Sequence, residues 1–207
     1  MQNPKSLSHP KIESIPEADL LMLHTELDRL LNNGNGTVVL AIDGGSASGK
    51  TTLAACLEQK YKCTVFHTDD FFLRPEQRTP ERFATPGGNM DRERFLQEVL
   101  LPLREGKNIN YRRYDCSTST ILPSVTITPE RLCIIEGAYS MHPELSKYYD
   151  FSVFLEATPQ LRKKRIQHRN TPQSAKNFFE KWIPLEQKYF EHFKICEQCS
   201  MHIKISE

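Results

Sequence analysis

The sequence has almost no net charge: 27 Lys and Arg stand against 26 Asp and Glu in 207 residues. No overall field therefore recommends a nucleic acid or an anionic membrane as partner, and any anion site has to be built locally. Long apolar runs are also missing. The stretch holding Pro4 and Pro10 is polar up to the first hydrophobic segment, which leaves neither a signal-peptide core nor a membrane span. A soluble, cytoplasmic protein is expected. The six cysteines, Cys56, Cys63, Cys116, Cys133, Cys196 and Cys199, follow no spacing of a small disulfide scaffold, and a reducing compartment fits them. Cys196 and Cys199 form a lone CxxC, and only His192 and His202, loosely placed, are at hand to complete a zinc site. Internal repeats and low-complexity tracts are absent.

What is present reads as one α/β domain with an N-terminal addition. Residues 1–13 read as a mobile arm. Ser14-Ile15-Pro16-Glu17 offers a capping box with proline in the first turn, and Leu20, Leu23, Leu27, Leu30 and Leu31 repeat at helical spacing up to Asn33-Gly34-Asn35-Gly36. That leucine stripe fits packing on the domain or against a second copy in a homo-oligomer. The boundary is placed at residue 36, with the main domain over 37–207. Thr37 to Asp43 is a continuous apolar, β-branched run, as in a strand buried on both faces of a parallel sheet. Similar runs at Cys63 to His67, Leu132 to Glu136, Phe151 to Leu155 and Met201 to Ile205 alternate with helical patterns at Lys50 to Gln59, Arg92 to Arg104, Pro159 to Arg169 and Lys176 to Phe193. The alternation predicts a mainly parallel five-stranded sheet between two helical layers. Polar stretches at 74–89 and 108–129 read as substrate-facing loops or a small inserted hairpin.

Between the first strand and the first domain helix lies Gly44-Gly45-Ser46-Ala47-Ser48-Gly49-Lys50-Thr51, a full GxxxxGK(S/T) motif followed by Thr52. Its backbone N–H groups and the helix N-terminus form a cradle for phosphate, with Lys50 reaching the β and γ phosphates of a nucleotide and the Thr51 hydroxyl placed for Mg²⁺. Asp69 and Asp70 follow the second strand, at the sheet edge where ligands bind in open α/β folds. A carboxylate there suits a general base for an attacking hydroxyl. Glu136 closes the third strand and reads as an Mg²⁺ ligand. Asp91 fits an N-cap for the helix from Arg92 as readily as a site residue. Arg162, Arg165 and Arg169 share one helical face, and forked guanidinium donors suit the spreading charge of a transferred phosphoryl group. The segment from Asn170 to Asn177 reads as a mobile lid. A GTP-binding switch would need an Asn-Lys-x-Asp segment, and none occurs.

Together, the phosphate loop, Asp69-Asp70-Phe71-Phe72, Ile135-Glu136-Gly137 and the three arginines resemble the uridine kinase and phosphoribulokinase family of P-loop kinases. The likeness spans about Val38 to Phe193. It implies a three-layer α/β/α P-loop NTPase fold with a helical lid over about 162–177, ATP with Mg²⁺, and a small-molecule acceptor such as a ribonucleoside. By the same likeness Asp69 is the catalytic base. Arg165 and Arg169, flanked by Arg162, grip phosphates, Asp91 holds the ribose hydroxyls, and Tyr114-Asp115 lies beside the base. Phe71-Phe72 and Trp182-Ile183-Pro184 are similar to nicotinamide riboside kinases, the second acceptor class implied. A non-catalytic nucleotide-binding module shares the loop, but the intact set of Lys50, Asp69 and Glu136 argues against it.

Overall fold

The computed structural model describes residues 15–206, so the expected arm and Ser14 of the expected capping box lie outside the described residues. Among the described residues nine strands occur: β1 (Val38–Asp43), β2 (Cys63–His67), β3 (Ile109–Tyr111), β4 (Tyr114–Asp115), β5 (Thr120–Ile121), β6 (Val125–Ile127), β7 (Leu132–Glu136), β8 (Phe151–Ala157) and β9 (Met201–Ile205). Five of them build a sheet in the order β2-β7-β1-β8-β9, with every pairing parallel. The expected three-layer fold is what forms. All six residues of β1 are buried, which is why its sequence shows a continuous apolar run and no alternation. Side chains still alternate across the sheet: Val39 and Ala41 enter one core layer, while Leu40 and Ile42 enter the other. The helix Glu17–Asn32 closes that second layer with fully buried Leu23 and Leu27. Its stripe is thus spent inside this chain's own core. Pro16 at its N-cap makes no side-chain cap bond.

The register of the sheet decides where the chemistry collects. Glu136 pairs with Ile42 of β1 on one side and with His67 of β2 on the other. The C-terminal ends of β1, β2 and β7 are therefore level, and the segments leaving them share one edge. The stretch at 108–129 folds as nested antiparallel ladders, β3 with β6 and β4 with β5.

Two long helical runs are interrupted by a wide π turn, at Leu96–Leu100 before Pro102 and at Phe178–Trp182 before Pro184. In each, the proline lacks the N–H for the carbonyl four residues back, Glu98 or Glu180, and the wide turn opens the space its ring needs. The stretch read as a lid contains the helix Pro172–Asn177, with Thr171 as its N-cap accepting from Ser174 N at 3.3 Å. Thr-Pro at a helix start is a capping signal.

Candidate active site

The phosphate loop is built around one position that only glycine can fill. Gly44 has φ +147°, and a Cβ on it would lie 2.3 Å from the Leu155 carbonyl oxygen, a backbone clash that nothing nearby can relieve. Beneath it, Asp43 is fully buried and accepts hydrogen bonds from Gly44 N at 2.6 Å, Met141 N at 2.8 Å and the Tyr189 hydroxyl at 2.8 Å. Burial pushes its carboxyl up to about 6 despite those donors. The base of the loop is thereby pinned to the turn after β7 and to the helix Ile183–Phe193. Lys50 Nζ lies over the loop and donates to Gly44 O at 2.8 Å and Gly45 O at 3.1 Å. The cradle suits an anion, because it already holds one of the chain's own: Glu186 Oε2 accepts from Ser46 N at 2.9 Å.

Across the loop stand the expected acids. Thr51 Oγ1 donates to Glu136 Oε1 at 3.1 Å, and His67 Nδ1 lies 2.6 Å from the same oxygen. These contacts hold the Glu136 carboxyl below its ordinary range, with the His67 bond the largest cause opposing burial, and the His67 imidazole is raised in return. Thr51 and Glu136 are thus adjacent and carry the two oxygens an Mg²⁺ ion would use. Among the described residues no cluster of three His, Cys, Asp or Glu side chains is placed to hold a metal. This applies to Cys196, Cys199, His192 and His202, and His202 is paired with Glu156 at 2.8 Å.

The two aspartates after β2 part company. Asp70 is buried, accepting from the Tyr111 hydroxyl at 2.8 Å and from Arg113 Nε at 3.0 Å. Asp69 lines a cleft of about 750 Å³ together with Lys50, Thr51, Thr52 and Glu136. It is open to water along the cleft but walled in elsewhere, and that enclosure is the largest effect raising its carboxyl; Glu136 and Glu186 add to the rise and Lys50 opposes it.

The helix Pro159–Arg169 supplies the cations. Arg165 NH1 donates to Ala47 O and Ser48 O, each at 3.1 Å, and burial lowers its guanidinium below the ordinary range. Arg169 lines the cleft with its guanidinium 5.5 Å from the Phe178 ring centre. Arg162 lies against the loop itself, Nε donating to Ser46 O at 2.8 Å. All three predicted arginines therefore meet the site.

Two residues inferred from the resemblance sit elsewhere. Asp91 is 2% exposed, is not on the cleft wall, and caps the helix Arg92–Phe95, its Oδ1 accepting from Arg94 N at 3.2 Å. Its other oxygen lies between Arg94 Nε at 3.6 Å and Arg74 Nε at 4.0 Å. Asn89, two residues earlier, lines the cleft instead. Tyr114 is also off the wall; its hydroxyl accepts from Arg78, which does line it. The far wall, unforeseen except for Phe72 and Trp182, includes Phe83, Tyr139, Phe178 and Lys181. Glu186 was missed, although it lies two residues after Trp182-Ile183-Pro184.

The model of the phosphoribulokinase / uridine kinase family matches residues 39–178. The chain belongs to that family. The chain is 29% identical over 181 residues to a bifunctional alpha-galactosidase/sucrose kinase from Mediterraneibacter gnavus, covering 77% of this chain and 19% of that protein. It is 29% identical over 174 residues to a pantothenate kinase from Psychromonas ingrahamii, covering 68% and 52%. The chain thus spans only a fifth and about half of these two relatives. A uridine kinase from Aliivibrio salmonicida is 25% identical over 180 residues, covering 78% of this chain and 82% of its own. The fold agrees with the solved structure of a possible uridine kinase from Bacillus stearothermophilus, with a TM-score of 0.62 at 24% identity over 87% and 98% of the two chains. The names of these relatives thus cover sucrose, pantothenate and uridine kinases. No helix among the described residues is long and apolar enough to cross a membrane.

Proposed function

We propose that this chain is an ATP-dependent kinase that phosphorylates a hydroxyl of a ribonucleoside, in the manner of a uridine kinase. The observation that carries the reading is Asp69: no hydrogen bond among the described residues engages its carboxylate, and it shares one cleft with Lys50 of the phosphate loop. In this reading the loop N–H groups and Lys50 hold the donor phosphates. Asp69 takes the proton of the acceptor hydroxyl as its oxygen bonds to the γ-phosphorus, and the bond to the β-phosphate breaks to leave ADP. Thr51 and Glu136 would hold Mg²⁺, which neutralises charge on the phosphates. Arg165 and Arg169 face the same oxygens, and the helical lid keeps water from competing as acceptor. Phe72, Phe83 and Trp182 line the same cleft and in this reading suit a planar base of the acceptor. Because Phe72 and Trp182 both reach the cleft, nicotinamide riboside is the second acceptor to consider.

Purified protein with ATP and Mg²⁺, screened against nucleosides, nicotinamide riboside, pantothenate and sugars by ADP release, tests this directly. Release is expected to require an acceptor and to be greatest with a ribonucleoside. Acceptor-independent ATP consumption would refute the kinase reading, whereas a response confined to pantothenate or a sugar would refute only the nucleoside part. The position of Asp91 gives a sharper expectation. Asp91→Ala should cost about 1 kcal/mol of stability, the usual value of a helix cap, and leave the kcat/KM ratio of ribo to 2′-deoxyribo acceptors unchanged. A collapse of that ratio, measured beside a melting curve, would return the diol contact to Asp91.

A further inference from the structure

Glu186 is 3% exposed, and every group its carboxylate meets belongs to the donor site. Its Oε2 accepts from Ser46 N at 2.9 Å and from Arg162 NH2 at 2.8 Å, while its Oε1 is bonded by the Ser46 hydroxyl. Arg162 closes the ring by donating Nε to Ser46 O at 2.8 Å. Gly45 makes room for this arrangement, since a Cβ there would lie 2.4 Å from the Arg162 guanidinium carbon. One loop residue is therefore clamped on both sides of its peptide by a carboxylate and its guanidinium partner.

We propose that Glu186 is a positioning residue of the donor site, a built-in anion that occupies Ser46 N–H and Arg162 until the terminal phosphate of a nucleotide takes its place. The proposal rests on nucleotide binding at this loop and not on the identity of the acceptor. A buried carboxylate is costly unless donors satisfy it. Here the donors are a loop N–H, a loop hydroxyl and an arginine, the groups a phosphoryl oxygen would use. Two anions cannot share one N–H, so a phosphate reaching Ser46 has to turn the carboxylate out. Glu186 also lies near enough to Asp69 to raise its carboxyl. Ser46, Glu186 and Asp69 line one cleft, so in this proposal the phosphate that displaces Glu186 is the one nearest Asp69, the terminal one. Its charge therefore opposes a triphosphate more than a diphosphate. Arg162, freed from Glu186, is in place to follow the phosphate.

Calorimetric titration with the β,γ-imido analogue of ATP and with ADP, both with Mg²⁺, distinguishes this role from a purely structural ion pair. Glu186→Gln keeps the shape and removes the charge. It is expected to tighten the analogue roughly tenfold or more, as loss of a like charge a few ångströms away implies, while ADP changes much less. Arg162→Ala should weaken the analogue selectively, and adding Glu186→Gln to it should recover most of the loss. A structural pair predicts no such recovery. Equal shifts for both nucleotides, an unchanged or weaker analogue in Glu186→Gln, or a double variant as weak as Arg162→Ala would each overturn the proposal. If melting shows Glu186→Gln to be unfolded, Arg162→Ala alone decides, with equal weakening of analogue and ADP as the refuting result. Failure of the nucleoside reading would leave all these binding ratios intact, and complete absence of nucleotide binding by the wild type would identify failure of the donor site instead.

Discussion

Asp69→Asn is expected to leave nucleotide binding near the wild-type value while turnover falls roughly 100- to 10,000-fold, the range for losing a positioned general base. The substitution is nearly isosteric, and no hydrogen bond among the described residues depends on the lost charge, so the fold has no reason to respond. What disappears is the proton acceptor. Enclosure in the cleft, with Glu136 and Glu186 nearby, raises the Asp69 carboxyl, and a more basic carboxylate is a better acceptor for a hydroxyl proton. The same rise fixes the direction of the pH dependence: activity is lost on acidification as Asp69 protonates, starting at higher pH than an ordinary aspartate would give. The acid limb of kcat/KM should flatten in the variant. Asp70→Asn provides the contrast. Its bonds with the Tyr111 hydroxyl and Arg113 are structural, and their disruption should cost about 1–3 kcal/mol of stability with a much smaller loss of turnover. Steady-state kinetics and melting of both variants check this, and a larger catalytic loss at Asp70 would move the base by one residue.

The parts of this site that were legible in the sequence are those whose cause is local. A strand buried on both faces must be apolar throughout, so β1 and β7 announce themselves, and the loop after β1 shows its glycines in the motif, although the Leu155 carbonyl that requires Gly44 lies far along the chain. Glu136 and Asp69 were legible because strand ends are legible, and parallel register then makes those ends level. The contacts that were not legible span the chain. Glu186 reaches Ser46 across 140 residues and Tyr189 reaches Asp43 across 146, and nothing local in either segment marks the pairing. Asp91 illustrates a different limit. Its place before Arg92 left a helix cap and a site role equally open, and the cap, with Oδ1 accepting from Arg94 N, is what forms.

Lys50→Ala is expected to remove most phosphoryl transfer, on the order of 100- to 1,000-fold or more, the scale for losing one preorganised charge stabiliser, with the fold retained. The side chain is not part of either apolar core layer; its ammonium is bonded to two loop carbonyls, Gly44 O at 2.8 Å and Gly45 O at 3.1 Å. Those carbonyls belong to buried glycines, so the lost donor should cost about 1–3 kcal/mol of stability. The electrostatic loss falls on the reaction itself. Lys50 holds down the carboxyls of Asp43, Asp69 and Glu136 at once, so its removal leaves several acids facing an incoming polyphosphate without their shared cation. Nucleotide affinity should therefore fall together with turnover, unlike the pattern for Asp69→Asn, where binding survives. Lys50→Met, which keeps most of the stem, should behave like the alanine variant if charge is what matters, and should recover activity if packing is. Turnover, nucleotide affinity and melting measured on the same preparations separate these outcomes, and near-native turnover in Lys50→Ala would remove the phosphate loop from the reaction.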